Sequence, residues 1–525
     1  MTTVGERLVE GLAARGVEVV FGIPGVHTIE LYRGLESGII RHVTPRHEQG
    51  AGFMAEGYAR VTGKPGVAFV ITGPGLTNTL TAMGQAREDS IPILVISGVN
   101  RRASLGKGLG LLHELPDQAA MIRPLCHTET LTDSAELGPA LDRAFAAMLG
   151  ARPGPAHIEI PTDVMPLSCP PLAPPAPLAA APQASAAELD RAVALLDKAR
   201  RPVILAGGGA RFAETALRRL AEVLDAPVIL TTNARGLMHS HPLCVPASPS
   251  LDAPRDLLAA ADQVLALGTE LGLTDYDMYV NGRLPDLSGM IRADLCADQL
   301  ARHAAALPVR AEAGAFAAAL AARLSPRKGG DGAARAETAR KAARAELAAL
   351  HPAMPGMLEM VEAARAAMPA ARIVGDSTQP VYAANLYYDA PFPRAWFNAA
   401  TGFGALGYGP GAAIGAAVAD PGVPVICLIG DGGLGFSPAE LRCALDEGLD
   451  VTFLVWNNAA FREIAEAMTG SQIKVIGCSP SPLDMGHFAA ACGLPFQRIA
   501  VDPAALAKSL SAPRNGPRLI EVQAP

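Results

Sequence analysis

The chain has 525 residues, with 44 Lys and Arg against 51 Asp and Glu, a formal charge of −7 and no basic stripe, which argues against a nucleic-acid partner. Half of its residues are hydrophobic and 5% are aromatic, so aliphatic material is ample for roughly two to four domains. No uncharged apolar run approaches the ~18 residues of a membrane helix, which excludes a helical membrane span.

The opening stretch MTTVGERLVEGLAARG carries charges through its apolar pattern and predicts an amphipathic first helix rather than a signal peptide. The 8 cysteines are scattered, without a C-x-x-C pair, as reduced core residues of a cytoplasmic protein would be. Further along, one grammar recurs: an aliphatic run, a glycine cluster, then a helical pattern. It is seen in VAFVITGPG (67–75), PVILAGGGA (202–210) and VICLIGDGG (425–433). Continuous apolar runs suit strands buried on both faces, as in parallel sheets. Two stretches interrupt this grammar: 166–187, too proline-rich for an element interior, and 325–345, a glycine-rich break followed by a charged helix. The expectation is therefore an α/β protein of three doubly wound parallel-sheet domains, 1–165, 188–325 and 350–525, binding small molecules at the carboxyl ends of the strands.

The loop LIGDGGLGFS (428–437) sets a carboxylate among glycines. Glycine at a strand-to-helix turn lets main-chain N–H groups approach an anion such as a diphosphate. A diphosphate travels with a divalent cation that needs hard oxygen ligands, and Asp431 offers one. The next apolar run, VTFLVWNN (451–458), ends in Asn457 and Asn458. If the two runs are adjacent parallel strands, Asp431 and an asparagine 27 positions later share one edge and can share one magnesium ion.

A G-D-G followed at that distance by N-N resembles the signature of thiamine-diphosphate enzymes. The resemblance implies that Asp431, Asn458 and the main chain of Ala460 bind Mg2+, while Gly430, Gly432 and Gly433 let the backbone close on the cofactor's diphosphate. A second motif, HVTPRHEQGAGFMAEGYAR (42–60), is similar to the family's first-domain segment and puts Glu48 where an acid exchanges a proton with the aminopyrimidine. A third, ATGFGALGYGPGAAIGAA (400–417), resembles the segment beneath the bent cofactor, with Leu406 as its apolar prop and the Gly404 carbonyl as acceptor for the amino group. Thr378 and Gln379, in GDSTQP (375–380), fit a second phosphate-side loop. The three domains become pyrimidine-binding, middle and diphosphate-binding, and the active site lies between two chains. A homodimer is thus the minimum, and a homotetramer is expected.

The reaction implied is loss of CO2 from a 2-oxo acid. His113 stands alone where pyruvate decarboxylases have paired histidines, and with His27 in GIPGVHTIELYRGL (22–35) it is the candidate for moving protons. The segment 231–242 shows no flavin-binding pattern, and no flavin is expected. GIPGVHTIELYRGL, RHVTPRHEQGAGFM, FVITGPGLTN and LHELPDQ together resemble 5-guanidino-2-oxopentanoate (2-ketoarginine) decarboxylases. A guanidinium substrate asks for a carboxylate, for which Glu114, Asp117, Asp376 and Glu463 are candidates. Arg462, beside Glu463, could instead repel it or bind a carboxylate. The alternative is an acetolactate-synthase-like carboligase or a decarboxylase of another 2-oxo acid.

Overall fold

Three six-stranded sheets, parallel throughout, carry the chain in the computed structural model, which describes residues 2–278 and 280–525. In the first sheet the spatial order is Arg41–Val43, Val19–Gly22, Gly66–Val70, Ile93–Val99, Pro155–Pro161 and His127–Thr130. The last sheet repeats that order: Trp396–Asn398, Arg372–Gly375, Val425–Gly430, Val451–Asn457, Arg518–Gln523 and Phe496–Ala500. In the middle sheet the first strand, Pro202–Ala206, lies centrally between Gln263–Leu267 and Val228–Leu230, the doubly wound order with a switch point beside it.

Local chemistry explains the elements. The central strands read VAFV, VILA and VICLI and are buried on both faces, which only a sheet covered by helices allows. The first helix, Val4–Ala13, begins at a capping box in which Thr3 and Glu6 satisfy each other's main-chain N–H groups. Residues 169–185, the proline-rich stretch, contain no helix or strand, and the next helix, Ala186–Lys198, opens on a second capping box from Ser185 and Glu188. After the glycine-rich break, helix Gly332–Leu350 buries Ala336, Ala339, Ala343 and Leu347 in a core that also holds residues of the middle and last sheets.

The first and last sheets share a core of their own. Helix Glu48–Thr62 lies directly on helix Tyr408–Ala419, and glycine makes the approach possible. A Cβ on Gly57 would stand 2.1 Å from the Ala412 carbonyl oxygen, and one on Gly415 would stand 2.0 Å from that of Met54. At the end of this seam Arg60 pairs with Glu56 and Asp89 at 2.5 Å each and donates to Asn233 at 3.0 Å, while the Tyr408 hydroxyl donates to Glu56 at 2.7 Å. All three sheets therefore contribute to one buried polar cluster, in which each charge has a partner, the condition for burying it.

Candidate active site

Strands Val425–Gly430 and Val451–Asn457 run side by side with Gly430 opposite Trp456. The residues that follow them, Asp431 and Asn458, consequently leave the sheet at the same edge. A cavity of about 450 Å³ opens there. Gly430, Asp431, Gly432 and Gly433 line it from the first strand's end, and Asn458 and Ala460 from the second. Thr378 and Gln379 reach it from the loop after strand Arg372–Gly375, and Gly404 and Leu406 from the loop before helix Tyr408–Ala419. Residues expected to share a site from four separate stretches of sequence do share one space.

The glycines are needed for shape. A Cβ on Gly432 would meet the Phe461 ring at 2.6 Å, and one on Gly433 would meet the Asp376 carboxylate at 2.9 Å. Asp376 is fully buried and accepts the N–H groups of Ser377 and Gly409, each at 2.8 Å, so it pins the start of helix Tyr408–Ala419 under the loop. Burial pushes its carboxyl up to about 6, against the pull of those N–H groups. The Gln379 side-chain oxygen accepts from Asn458 Nδ2 at 3.1 Å and from the Trp456 indole at 3.4 Å. That bond fixes which way the Asn458 amide faces, and its Oδ1 accepts the Ala460 N–H at 3.2 Å. Burial raises the Asp431 carboxyl above its ordinary value, opposed by the main-chain N–H groups of Asn458, Gly432 and Ala459.

Glu48, His27 and His113 do not line this cavity. They gather on the carboxyl edge of the first sheet. Glu48 opens helix Glu48–Thr62 after strand Arg41–Val43, and its carboxylate accepts from Asn78 Nδ2 at 2.9 Å. His27, which follows strand Val19–Gly22, and His113, which follows strand Ile93–Val99, meet edge to face with ring centroids 5.2 Å apart. Each ring has a buried Nδ1 without a hydrogen-bond partner among the described residues. Burial, and secondarily the neighbouring His113, lower the His27 pKa. His113 holds φ at +61°, and a Cβ on Gly73 would meet its carbonyl oxygen at 2.5 Å, so glycine gives the His113 loop its room.

Of the other acids considered, Glu114 accepts the N–H groups of Leu109 and Leu111 within its own loop, and Asp117 caps helix Gln118–Ile122. Glu463 alone of the four lines the cavity with its side chain free of any ion pair among the described residues, since Asp376 is enclosed. Arg462 donates to the main-chain oxygen of Pro525 at 2.7 Å.

Several contributors had no sequence assignment. Asn78 closes the segment FVITGPGLTN, where a polar side chain near the start of the helix after a glycine loop was the available signal. Tyr382 and Phe461 line the cavity, as do Thr274 and Met278 from the middle part of the chain, without any motif to announce them. Glu440, whose carboxylate accepts the His47 N–H, had none either.

The chain matches three profiles described as thiamine pyrophosphate enzyme domains: the N-terminal TPP binding domain over residues 2–121, the central domain over 189–320 and the C-terminal TPP binding domain over 376–522. It is 43% identical over 508 residues to a protein of Pseudomonas aeruginosa named probable 2-ketoarginine decarboxylase AruI, covering 94% of this chain and 88% of that one. The chain belongs to the thiamine pyrophosphate enzymes. Within that family it is also 30% identical to the acetolactate synthase isozyme 1 large subunit of Escherichia coli, covering 99% of this chain and 94% of the relative. The acetolactate synthase large subunit IlvG of Mycobacterium tuberculosis is 33% identical, over 86% and 83%.

The cofactor of thiamine pyrophosphate enzymes is thiamine diphosphate, with Mg2+ as the usual partner metal, and the donor chemistry here fits both. One carboxylate, one side-chain amide and main-chain oxygen form a hard oxygen set, and no cluster of three or more His, Cys, Asp or Glu competes for a metal among the described residues. The glycine cradle between Phe461 and Asp376 leaves main-chain groups, not side chains, facing the cavity. No helix among the described residues is long and apolar enough to cross a membrane.

Proposed function

We propose that this thiamine pyrophosphate enzyme removes CO2 from 5-guanidino-2-oxopentanoate, which takes up one proton and leaves as 4-guanidinobutanal. The observation that carries the reading is the convergence of the Asp431 loop, Asn458, Gln379 and Leu406 in one cavity, in a chain similar over nearly all its length to a probable 2-ketoarginine decarboxylase.

Asp431, Asn458 and the Ala460 carbonyl would hold Mg2+, and the main chain at Gly430, Gly432 and Gly433 would hold the diphosphate. Thr378 and Gln379 support that end, Gln379 by orienting the Asn458 amide. Leu406 and the Gly404 carbonyl would receive the middle of the cofactor and its amino group. When bound, thiamine diphosphate supplies a carbanion nucleophile and an electron sink for the carbon that loses CO2. Glu48 exchanges a proton with the aminopyrimidine, held for the task by Asn78. His27 and His113 deliver the proton that completes the aldehyde, a role open to imidazoles whose Nδ1 has no partner among the described residues.

Within one chain Glu48 does not line the cavity of the Asp431 loop, so we place the working site between two chains, with a homodimer as the least unit and a homotetramer as the expected assembly. Exposed apolar residues flank both halves in support: Val26 and Leu112 beside the histidines, and Ile464 at the cavity. The 8 free thiols suit a cytoplasmic location.

The second reading, carboligation of pyruvate to acetolactate, is favoured by similarity to acetolactate synthases over 99% of the chain in one case. One assay separates the two. With thiamine diphosphate and Mg2+, CO2 and aldehyde from the guanidino acid support decarboxylation, acetolactate from pyruvate supports the second reading, and cofactor-independent or absent turnover defeats both.

A further inference from the structure

We infer that Glu463 is the anchor for the guanidinium end of the substrate and the residue that makes the enzyme prefer a cation at that position. The inference rests on the decarboxylase reading above and adds to it the group that reads the side chain.

Two carboxylates line the cavity, Asp431 and Glu463. Asp431 is committed to the metal end. Glu463 stands in the first turn of helix Arg462–Gly470, on the segment that leaves Asn458, and thus at the same cavity but past the metal ligands in the chain. Glu463 is exposed at the cavity and has no ion pair among the described residues, so its carboxylate is open to a cationic ligand. Burial raises the Glu463 carboxyl above its ordinary value, with Gln379 hydrogen bonding opposing the rise. A cation brought alongside favours the ionised form, because an opposite charge at short range stabilises it. Tyr382, also lining the cavity and close enough to feel the Glu463 charge, adds an aromatic surface of the kind a planar guanidinium packs against.

The neighbouring arginine does not oppose this. Arg462 is the one cationic residue among those lining the cavity, and its guanidinium is engaged by the Pro525 main-chain oxygen at 2.7 Å. The competing acids are otherwise occupied: Asp376 by main-chain N–H groups in a sealed position, Glu114 by its own loop and Asp117 by a helix start. A bidentate carboxylate–guanidinium pair is geometrically selective, so a neutral ureido group of the same length should be a poor replacement.

The test compares the holoenzyme and Glu463→Gln on 5-guanidino-2-oxopentanoate and on its neutral isostere, 5-ureido-2-oxopentanoate. Wild type should favour the guanidino acid in kcat/KM by about 100-fold, and the variant should bring that ratio near unity, the scale expected when a charged hydrogen-bonding partner is removed. Calorimetry with 4-guanidinobutanoate should show weaker binding to the variant in the same proportion. Retention of thiamine diphosphate by Glu463→Gln, followed by fluorescence, certifies its fold, and Glu463→Asp should recover part of the preference. If the variant keeps the wild-type ratio, or if wild type shows none, Glu463 is not the anchor although the decarboxylase reading stands. If wild type releases no CO2 from the guanidino acid, both fall together.

Discussion

The buried carboxylate of Glu440 accepts the main-chain N–H of His47 at 2.9 Å and that of Arg46 at 3.1 Å, so a residue of the last sheet's loops holds the turn that delivers Glu48. The contact is tight, since a Cβ on Gly50 would lie 2.3 Å from the same carboxylate. Burial pushes the Glu440 carboxyl up to about 7 from an ordinary value of 4.5. A folded-state value above the unfolded one means that the native state holds the proton more tightly. The stability this contributes is complete below about pH 4.5 and is lost as pH rises through about 7. Chemical denaturation of wild type across that window should therefore show a decline relative to Glu440→Gln, which cannot titrate. The same variant should lower kcat by roughly tenfold through a misplaced Glu48 while leaving the cofactor affinity close to wild type.

Glu48→Gln separates proton exchange from binding. Turnover should drop by about 10²–10⁴-fold, the range of a general acid–base contribution, with thiamine diphosphate still bound. Rapid-quench measurement of CO2 alongside cofactor fluorescence reads both quantities, and a variant with wild-type turnover would refute the role.

Asp431→Ala should release the cofactor instead. Chelation of wild type should do the same reversibly, with Mg2+ restoring retention, whereas the variant should not recover. The affinity loss should exceed the about 10–100-fold typical of removing a supporting residue around a metal ligand. Thiochrome fluorescence after gel filtration measures it.

Ala459 sits at φ +53°, a left-handed conformation that costs a residue with a Cβ about 1–2 kcal/mol. Ala459→Gly should leave the melting temperature unchanged or raise it. Ala339→Gly, in the interior of helix Gly332–Leu350, should lose about 1 kcal/mol or more from the same chemical change. Thermal melts of the two variants side by side decide the point.

Much of the last sheet's site was legible in the sequence because its spacing reflects local geometry. Asp431 and Asn458 each follow a continuous apolar run, and parallel pairing puts such runs' ends together. The glycine clusters marked where main chain must come close. What was not legible depends on contacts with no periodicity. His27 and His113 become neighbours only because strands Val19–Gly22 and Ile93–Val99 flank strand Gly66–Val70, an order set by crossovers rather than by any local signal. Glu440 is a single glutamate among 51 acidic residues, and nothing near it in the chain predicts that its partners lie almost four hundred positions upstream. Acid candidates for the substrate could be narrowed only once side chains such as Asp376 were seen to be enclosed.

Gly57→Ala and Gly415→Ala should be equally damaging. Each adds a methyl group where main-chain oxygen already stands at 2.1 or 2.0 Å, so backbone must move, and overpacking of this kind costs about 1–3 kcal/mol. Urea unfolding of both variants should give similar losses of stability, and a large difference between them would contradict an equivalent role for the two helices.

Gly57 abuts Ala412, and Gly415 abuts Met54; within each helix the two positions are three residues apart. Each contact is thus the mirror of the other under a half-turn that exchanges the helices. Both helices also follow the second strand of sheets whose strands share one order. The polypeptide is built around an internal pseudo-twofold axis that relates its first and last sheets, with the middle sheet lying between them in the chain. The two halves differ in what they present at equivalent sheet edges, a carboxylic acid at Glu48 on one and the oxygen-bearing side chains of Asp431 and Asn458 on the other, so a division of labour is laid over a repeated scaffold.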